Sequence, residues 1–273
     1  MKSVNTIPEI SKSLIIDQIL KDSGQFDLSP VDFNELDDLL KVVSYDFDFN
    51  EFDLKGKAGE QLELRGILDL KEKSIYLDEN EKLQTRKRFS HAHEIGHYLI
   101  PSHREYFYHC SNSDMKHSTL NILEREANQF ASVLLFKGSL FHDHIEDYEK
   151  ITFNSVARIA EIFGASFVAS LRKVISETSK PAAMVIISEN EGNGKIDYTI
   201  GSQSMREKYF NEVSNIPSLS DLISSSRTST RNDPHRLKLK SLSANGERVI
   251  LNCQFYYNGY QHVGLICPQH KGV

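Results

Sequence analysis

Arg88-Phe89-Ser90-His91-Ala92-His93-Glu94-Ile95-Gly96-His97-Tyr98-Leu99-Ile100 is the stretch on which the reading of this chain turns. It contains H-E-x-x-H. Residues four apart lie one above the other on a helix, so His93 and His97 can reach one ion from the same face. Neutral imidazole suits zinc, at about 2.0–2.1 Å per nitrogen. Glu94 sits one step round the helix, where it can take a proton from a water rather than join the ligands. Phe89, Ala92, Ile95, Gly96, Leu99 and Ile100 make this helix largely apolar. Polar groups in such a setting need partners, and a metal supplies one. Gly96 costs about 1 kcal/mol relative to Ala inside a helix, which implies that something packs closely against it.

A catalytic zinc site uses three protein ligands and leaves one position open. His103 stands six residues after His97, the spacing of H-E-x-x-H-x-x-G-x-x-H sites. That pattern needs a turning Gly where this chain has Ile100. Glu124 lies 27 residues beyond His97, within the helical run Thr119 to Phe136, and Glu126 is its neighbour on a different face. The missing turn residue favours Glu124 over His103. Asn128, one turn later, is placed to hydrogen-bond a ligand or a water.

Arg88-Phe89-Ser90-His91-Ala92-His93-Glu94-Ile95-Gly96-His97-Tyr98-Leu99, followed by Glu124-Arg125-Glu126-Ala127-Asn128-Gln129-Phe130-Ala131-Ser132-Val133-Leu134-Leu135, resembles the ImmA/IrrE family of zinc metallopeptidases. The resemblance covers about residues 30–175. It implies His93, His97 and Glu124 as metal ligands and Glu94 as catalytic base, and the ligand types favour Zn2+ ahead of Mn2+. It also implies a DNA-binding helix-turn-helix repressor as protein substrate, cut once in response to stress or mobile-element induction. The family's usual Met-Pro after Leu-Leu is Phe136-Lys137 here, and Gly138 is available to end the helix instead. Tyr98 and His109 are candidates for stabilising the developing oxyanion. The alternative is a zinc-stabilised binding module, antitoxin-like or repressor-sequestering, that does not cut. Glu94 argues against it, because binding alone has no use for that carboxylate.

The remaining sequence predicts an α+β protein. A zincin-like helical core with a small sheet is expected over 1–150, a helix-turn-helix-like segment over 151–179, and an α+β sensor or substrate-binding domain over 180–273. Helices are expected over 9–22, with Ile10, Leu14, Ile15, Ile19 and Leu20 as the apolar stripe, and from Pro30, capped by Ser29. Strands are expected at Tyr45 to Phe52, Leu62 to Asp69 and Ser74 to Leu77. Arg86, Lys87 and Arg88 read as a solvated basic face, and residues 101–118 as a loop or lid. Gly164 fits the tight turn of a helix pair. Its second helix offers Phe167, Val168, Ala169 and Leu171 where base-reading side chains would be wanted, so direct DNA binding is not expected. Ala183 to Ser188 and Ile196 to Ile200 read as strands around Glu191-Gly192-Asn193-Gly194, and 214–234 as a mobile connector. Arg248 to Tyr257 and Tyr260 to Cys267 read as a hairpin on Asn258-Gly259. That register pairs Cys253 with Gly264, so a bond from Cys253 to Cys267 is not expected. A net charge of −6 gives no general attraction to nucleic acid or anionic lipid. No run reaches the roughly 20 apolar residues of a membrane span. Three cysteines make no disulfide framework, and with no secretory signal the expectation is a cytoplasmic protein.

Overall fold

The computed structural model describes residues 9–49, 65–104, 117–190, 193–209 and 219–269. The chain forms two compact units, one of residues 1–141 with 162–165 and the other of 142–161 with 166–273. Helices and strands mix in both, which makes the fold α+β. Among the described residues no helix is long and apolar enough to cross a membrane.

In the first unit, α1 (Glu9–Asp22) buries Lys12, Ile16 and Leu20, a face set by i, i+4 spacing. Leu14 and Ile15, expected on that stripe, are exposed. The buried row includes a lysine with a specific partner, so apolarity alone misplaces the face. α2 (Phe33–Leu40) begins later than Ser29-Pro30 suggest: Asp32 is the cap, its carboxylate accepting from Asn34 N at 2.9 Å. Ser29 Oγ instead donates to Asp27, beside the fully buried Lys137 ammonium. A three-stranded sheet follows, in the order β1 (Val43–Phe47), β3 (Ser74–Asp78), β2 (Gly66–Asp69). β1 runs parallel to β3 and β2 antiparallel to it. The strand expected to reach Phe52 stops at Phe47, and the parts of the sequence expectations on 50–52 and 62–64 lie outside the described residues.

α3 (Gln84–Leu99) carries the motif, and α4 (His117–Leu135) packs along it. A Cβ on Gly96 would stand 3.2 Å from Phe130 Cβ and 3.4 Å from Ala127 Cα. That close approach explains the glycine. It brings the Glu124–Asn128 turn of α4 within reach of His93. α4 ends in two left-handed residues, Lys137 (φ 53°) and Gly138 (φ 56°), with Gly138 N donating to Val133 O at 2.9 Å. Arg88 is no part of a solvated face: its guanidinium donates to Val31 O at 2.8 Å and stacks over Phe33.

α5 (Ser139–Glu146) leads into α6 (Phe153–Phe163) and α7 (Phe167–Glu177), the expected helix pair, with Gly164 left-handed at its turn. α7 packs on a five-stranded sheet and buries Leu171, Val174 and Ile175, and Phe167 meets Phe153 and Tyr256 edge-on. The sheet consists of β4 (Ala183–Asn190), β5 (Asn193–Gly201), β6 (His235–Leu242), β7 (Arg248–Tyr257) and β8 (His262–Pro268). Its order is β5-β4-β8-β7-β6, antiparallel throughout. Val185, Ile187, Cys253, Phe255 and Ile266 form one apolar face beneath Met205 of α8 (Gln203–Tyr209) and Leu222 and Ile223 of α9 (Leu219–Ser226).

Three expectations fail in this unit. Asn193 and Gly194 belong to β5, since Asn190 pairs with Asn193. The connector contains α9, and the sequence expectations lack β6, although Arg236 to Lys240 alternates polar and apolar residues. The final hairpin pairs Tyr257 with His262 and Cys253 with Ile266, two residues off the expected register. Its loop is four residues long because the Asn258 carboxamide accepts from both Tyr260 N and Gln261 N. Cys253 and Cys267 are free thiols, as the shifted register still keeps them apart.

Glu146 closes the end of α7. Its carboxylate accepts from Ser179 N at 2.9 Å and from the Lys180 ammonium at 3.2 Å. Burial works against its ionisation, but the bonds from Ser179 and Lys180 prevail and hold its pKa down at about 2. A depressed carboxyl contributes stability above its unfolded value, near 4.5, and loses it as pH falls through the folded value. Acid melts should therefore show wild type losing about 1 kcal/mol relative to Glu146→Gln between pH 4.5 and 2, the figure reduced for solvent screening. Parallel melting curves across that range would show that the contact contributes nothing.

Candidate metal centre and active site

The two motif imidazoles point the same way from α3, their Nε2 atoms 3.0 Å apart. Glu124 reaches between them from α4, with Oε2 3.2 Å from His93 Nε2 and Oε1 3.5 Å from His97 Nε2. The three donors all lie within 4.8 Å of one another and could hold a metal ion. His93 Nδ1 meets the Asn128 carboxamide oxygen at 3.1 Å. A carbonyl oxygen only accepts, so His93 carries its proton on Nδ1 and turns a lone pair from Nε2 toward the other two donors.

The spacing fits zinc. Bonds of 2.0–2.1 Å in a tetrahedron separate neighbouring ligand atoms by about 3.3 Å, and the separations found are 3.0, 3.2 and 3.5 Å. Two imidazole lone pairs and a carboxylate crowded at that distance repel one another unless a cation lies between them. The electrostatics agree. The closeness of His93 and His97 pulls the Glu124 carboxyl well below the usual range, against its partial burial. Burial would lower the His93 imidazolium, but the nearby Glu124 carboxylate, with Glu94 and Asn128 adding to it, raises it on balance.

Glu94 is buried beside this cluster, and that burial raises its pKa although both histidines oppose the shift. β2 crosses close above it: a Cβ on Gly66 would lie 2.8 Å from Glu94 Oε1 and 3.1 Å from its Cγ. Gly66 escaped the sequence reading because its role is to leave space. Gly66→Ala should displace a flexible carboxylate at little cost in stability, below about 1 kcal/mol, while lowering any turnover that uses Glu94 about 10- to 100-fold through misplacement. Unchanged turnover in a variant that melts with wild type would show that the carboxylate is not used from this position.

The other candidates raised by the sequence fall elsewhere. His103 does not face the donor cluster. Residues 101–104 form a helical turn rather than loop, with His103 N bonded to Ile100 O at 3.1 Å. The fully buried ring therefore sits behind His97, Nδ1 to Nδ1 2.9 Å, and its Nε2 lies 3.3 Å from Glu126 Oε2. Burial, with His97 alongside, pushes the His103 pKa down to about 3 and keeps it neutral. Tyr98, one residue on from His97, is turned away, its hydroxyl 3.5 Å from Leu40 O. His109 and Cys110 lie outside the described residues.

His91 stands two residues before His93 on α3. It bonds Asp37 at 3.0 Å and Ser44 at 2.9 Å and stacks on Phe33, so it ties α3 to α2 and β1. Only Asp37 within an apolar stripe could have hinted at this.

Residues 40–174 match the IrrE N-terminal-like domain of the peptidase M78 family. No curated relative matches the chain. Among solved structures, a Mycobacterium tuberculosis transcriptional regulator is similar in fold, with a TM-score of 0.56 at 13% identity over 97% of this chain and 89% of that one. Over residues 40–174, where the H-E-x-x-H helix and the glutamate-bearing helix meet, the chain belongs to the peptidase M78 family as an IrrE N-terminal-like domain.

Proposed function

We propose that this protein is a zinc-dependent endopeptidase of the cytoplasm that makes one regulatory cut in a DNA-binding repressor, switching on a stress or mobile-element response. The observation that carries the enzymatic part is the meeting of His93, His97 and Glu124 with the buried Glu94 beside them. Two imidazoles and one carboxylate suit zinc better than manganese, which prefers a shell richer in oxygen. Zinc held there would polarise the scissile carbonyl and lower the pKa of water toward about 7.

The residues of the chain do the rest. Glu94, its pKa raised by burial, accepts the proton of the attacking water and returns it to the leaving amine. Asn128 fixes the orientation of His93. β2 pairs only with β3 among the described residues, so its other edge can take an extended substrate strand past Glu94, as sheet edges commonly do. The choice of a repressor as substrate rests on the family resemblance.

The test is to map newly formed protein N-termini in the native cells, comparing wild type with Glu94→Gln, with and without DNA damage. One strong new terminus within a repressor, found only with wild type, is the expected result. A Glu94→Gln protein that retains the full biological effect would support the non-cutting binding module instead.

A further inference from the structure

Behind the donor cluster runs a second row of polar groups. The Lys12 ammonium of α1 lies 3.8 Å from Glu126 Oε1 on α4, Glu126 Oε2 lies 3.3 Å from His103 Nε2, and His103 Nδ1 lies 2.9 Å from His97 Nδ1. All four side chains are almost wholly buried: Lys12 is 2% exposed, Glu126 3%, His103 0% and His97 4%. Burying a lysine and a glutamate together is costly unless a specific arrangement repays it, and replacement by apolar residues is often no worse for stability. The row therefore calls for a use beyond holding α1 to α4.

Its hydrogen bonding admits one direction. An ionised carboxylate paired with Lys12 can only accept, so His103 donates to Glu126 from Nε2. The neutral His103 ring then presents Nδ1 as an acceptor, and His97 must donate to it from its own Nδ1. With that proton fixed, His97 Nε2 is a lone pair, aimed at His93 Nε2 and Glu124. We infer that His103, held by Glu126 and Lys12, is a positioning residue that fixes the ring orientation and tautomer of His97 for metal binding. Asn128 does the same for His93 through one carboxamide, so the two imidazoles are oriented from opposite sides by different chemistry. The inference rests on His97 being a metal ligand, as proposed above, and it assigns His103 a part outside the ligand set. Partners in this position typically change metal affinity 10- to 100-fold when removed.

The full chain is tested with zinc in competition with a chromophoric chelator, and the zinc-free protein by 15N NMR of its histidines. Wild type should show His97 protonated on Nδ1 even without metal. His103→Leu should mix the His97 tautomers and weaken zinc binding about 10- to 100-fold. His103→Gln, which offers both an acceptor and a donor, should restore binding to within about fivefold. A purely structural role would not move the tautomer, nor would Gln rescue it. If His103→Leu fails to fold, Glu126→Gln provides the same comparison, with an expected loss of about 10-fold. Zinc binding by the folded Leu variant within twofold of wild type, or a wild-type His97 protonated on Nε2, would overturn the inference alone. A wild-type protein that binds no zinc would overturn the metal reading and this inference with it.

Discussion

Glu94→Gln is expected to bind zinc as wild type does and to cleave its substrate about 1,000-fold more slowly. The carboxylate is not one of the three converging donors, so the metal should not sense the exchange. The amide has nearly the same shape but cannot accept the proton of the attacking water, and general-base groups contribute about 10²–10⁴ in rate. Gln also removes a buried ionisable group whose charged form burial disfavours, so the variant should melt no lower than wild type. Single-turnover cleavage together with zinc stoichiometry checks both halves. Cleavage by Glu94→Gln within tenfold of wild type would remove Glu94 from the chemistry. Loss of zinc would place it among the ligands.

Glu124→Ala should show the opposite pattern, losing metal and activity together. If about 10–16 kcal/mol of zinc binding is shared among four ligands, each contributes roughly 3 kcal/mol, so the expected loss in affinity is about 100-fold or more. Asn128→Ala, which removes only the support of His93, should lose about 10-fold. Chelator competition on the two variants separates ligand from supporting residue. Equal losses would mean that Glu124 acts no more directly than Asn128. A half-exposed Glu124 makes this a mild substitution for the fold, so an unfolded variant is not expected.

The donor side chains were legible because their spacing is local. H-E-x-x-H puts His93 and His97 on one face of any helix they share, and the apolar run around Ala127 and Phe130 identified the second helix without reference to the first. Gly96 even signalled the close approach between them. Elsewhere a longer-range partner decided the outcome. His103 has the spacing of a ligand, but its direction depends on the helical turn after Pro101 and on Glu126 and Lys12 behind it. Arg88 has the composition of a solvated face and is instead captured by Val31 O and the Phe33 ring. The last hairpin contains Asn-Gly, a strong two-residue turn signal, yet its register follows the ladder from Leu251↔Pro268 to Tyr257↔His262, with the Phe255 ring lying over Gly264.

The sequence by itself thus determined the chemistry available: two imidazoles and a carboxylate on one helix, a second carboxylate on another, and an α+β framework to carry them. Only the tertiary structure decided how Glu124 meets the imidazoles, that β2 leaves room for Glu94 at Gly66, and that His103 stands behind His97. Periodicity fixes which residues share a face of one element. Which faces meet depends on packing and on where each buried polar group finds its partner.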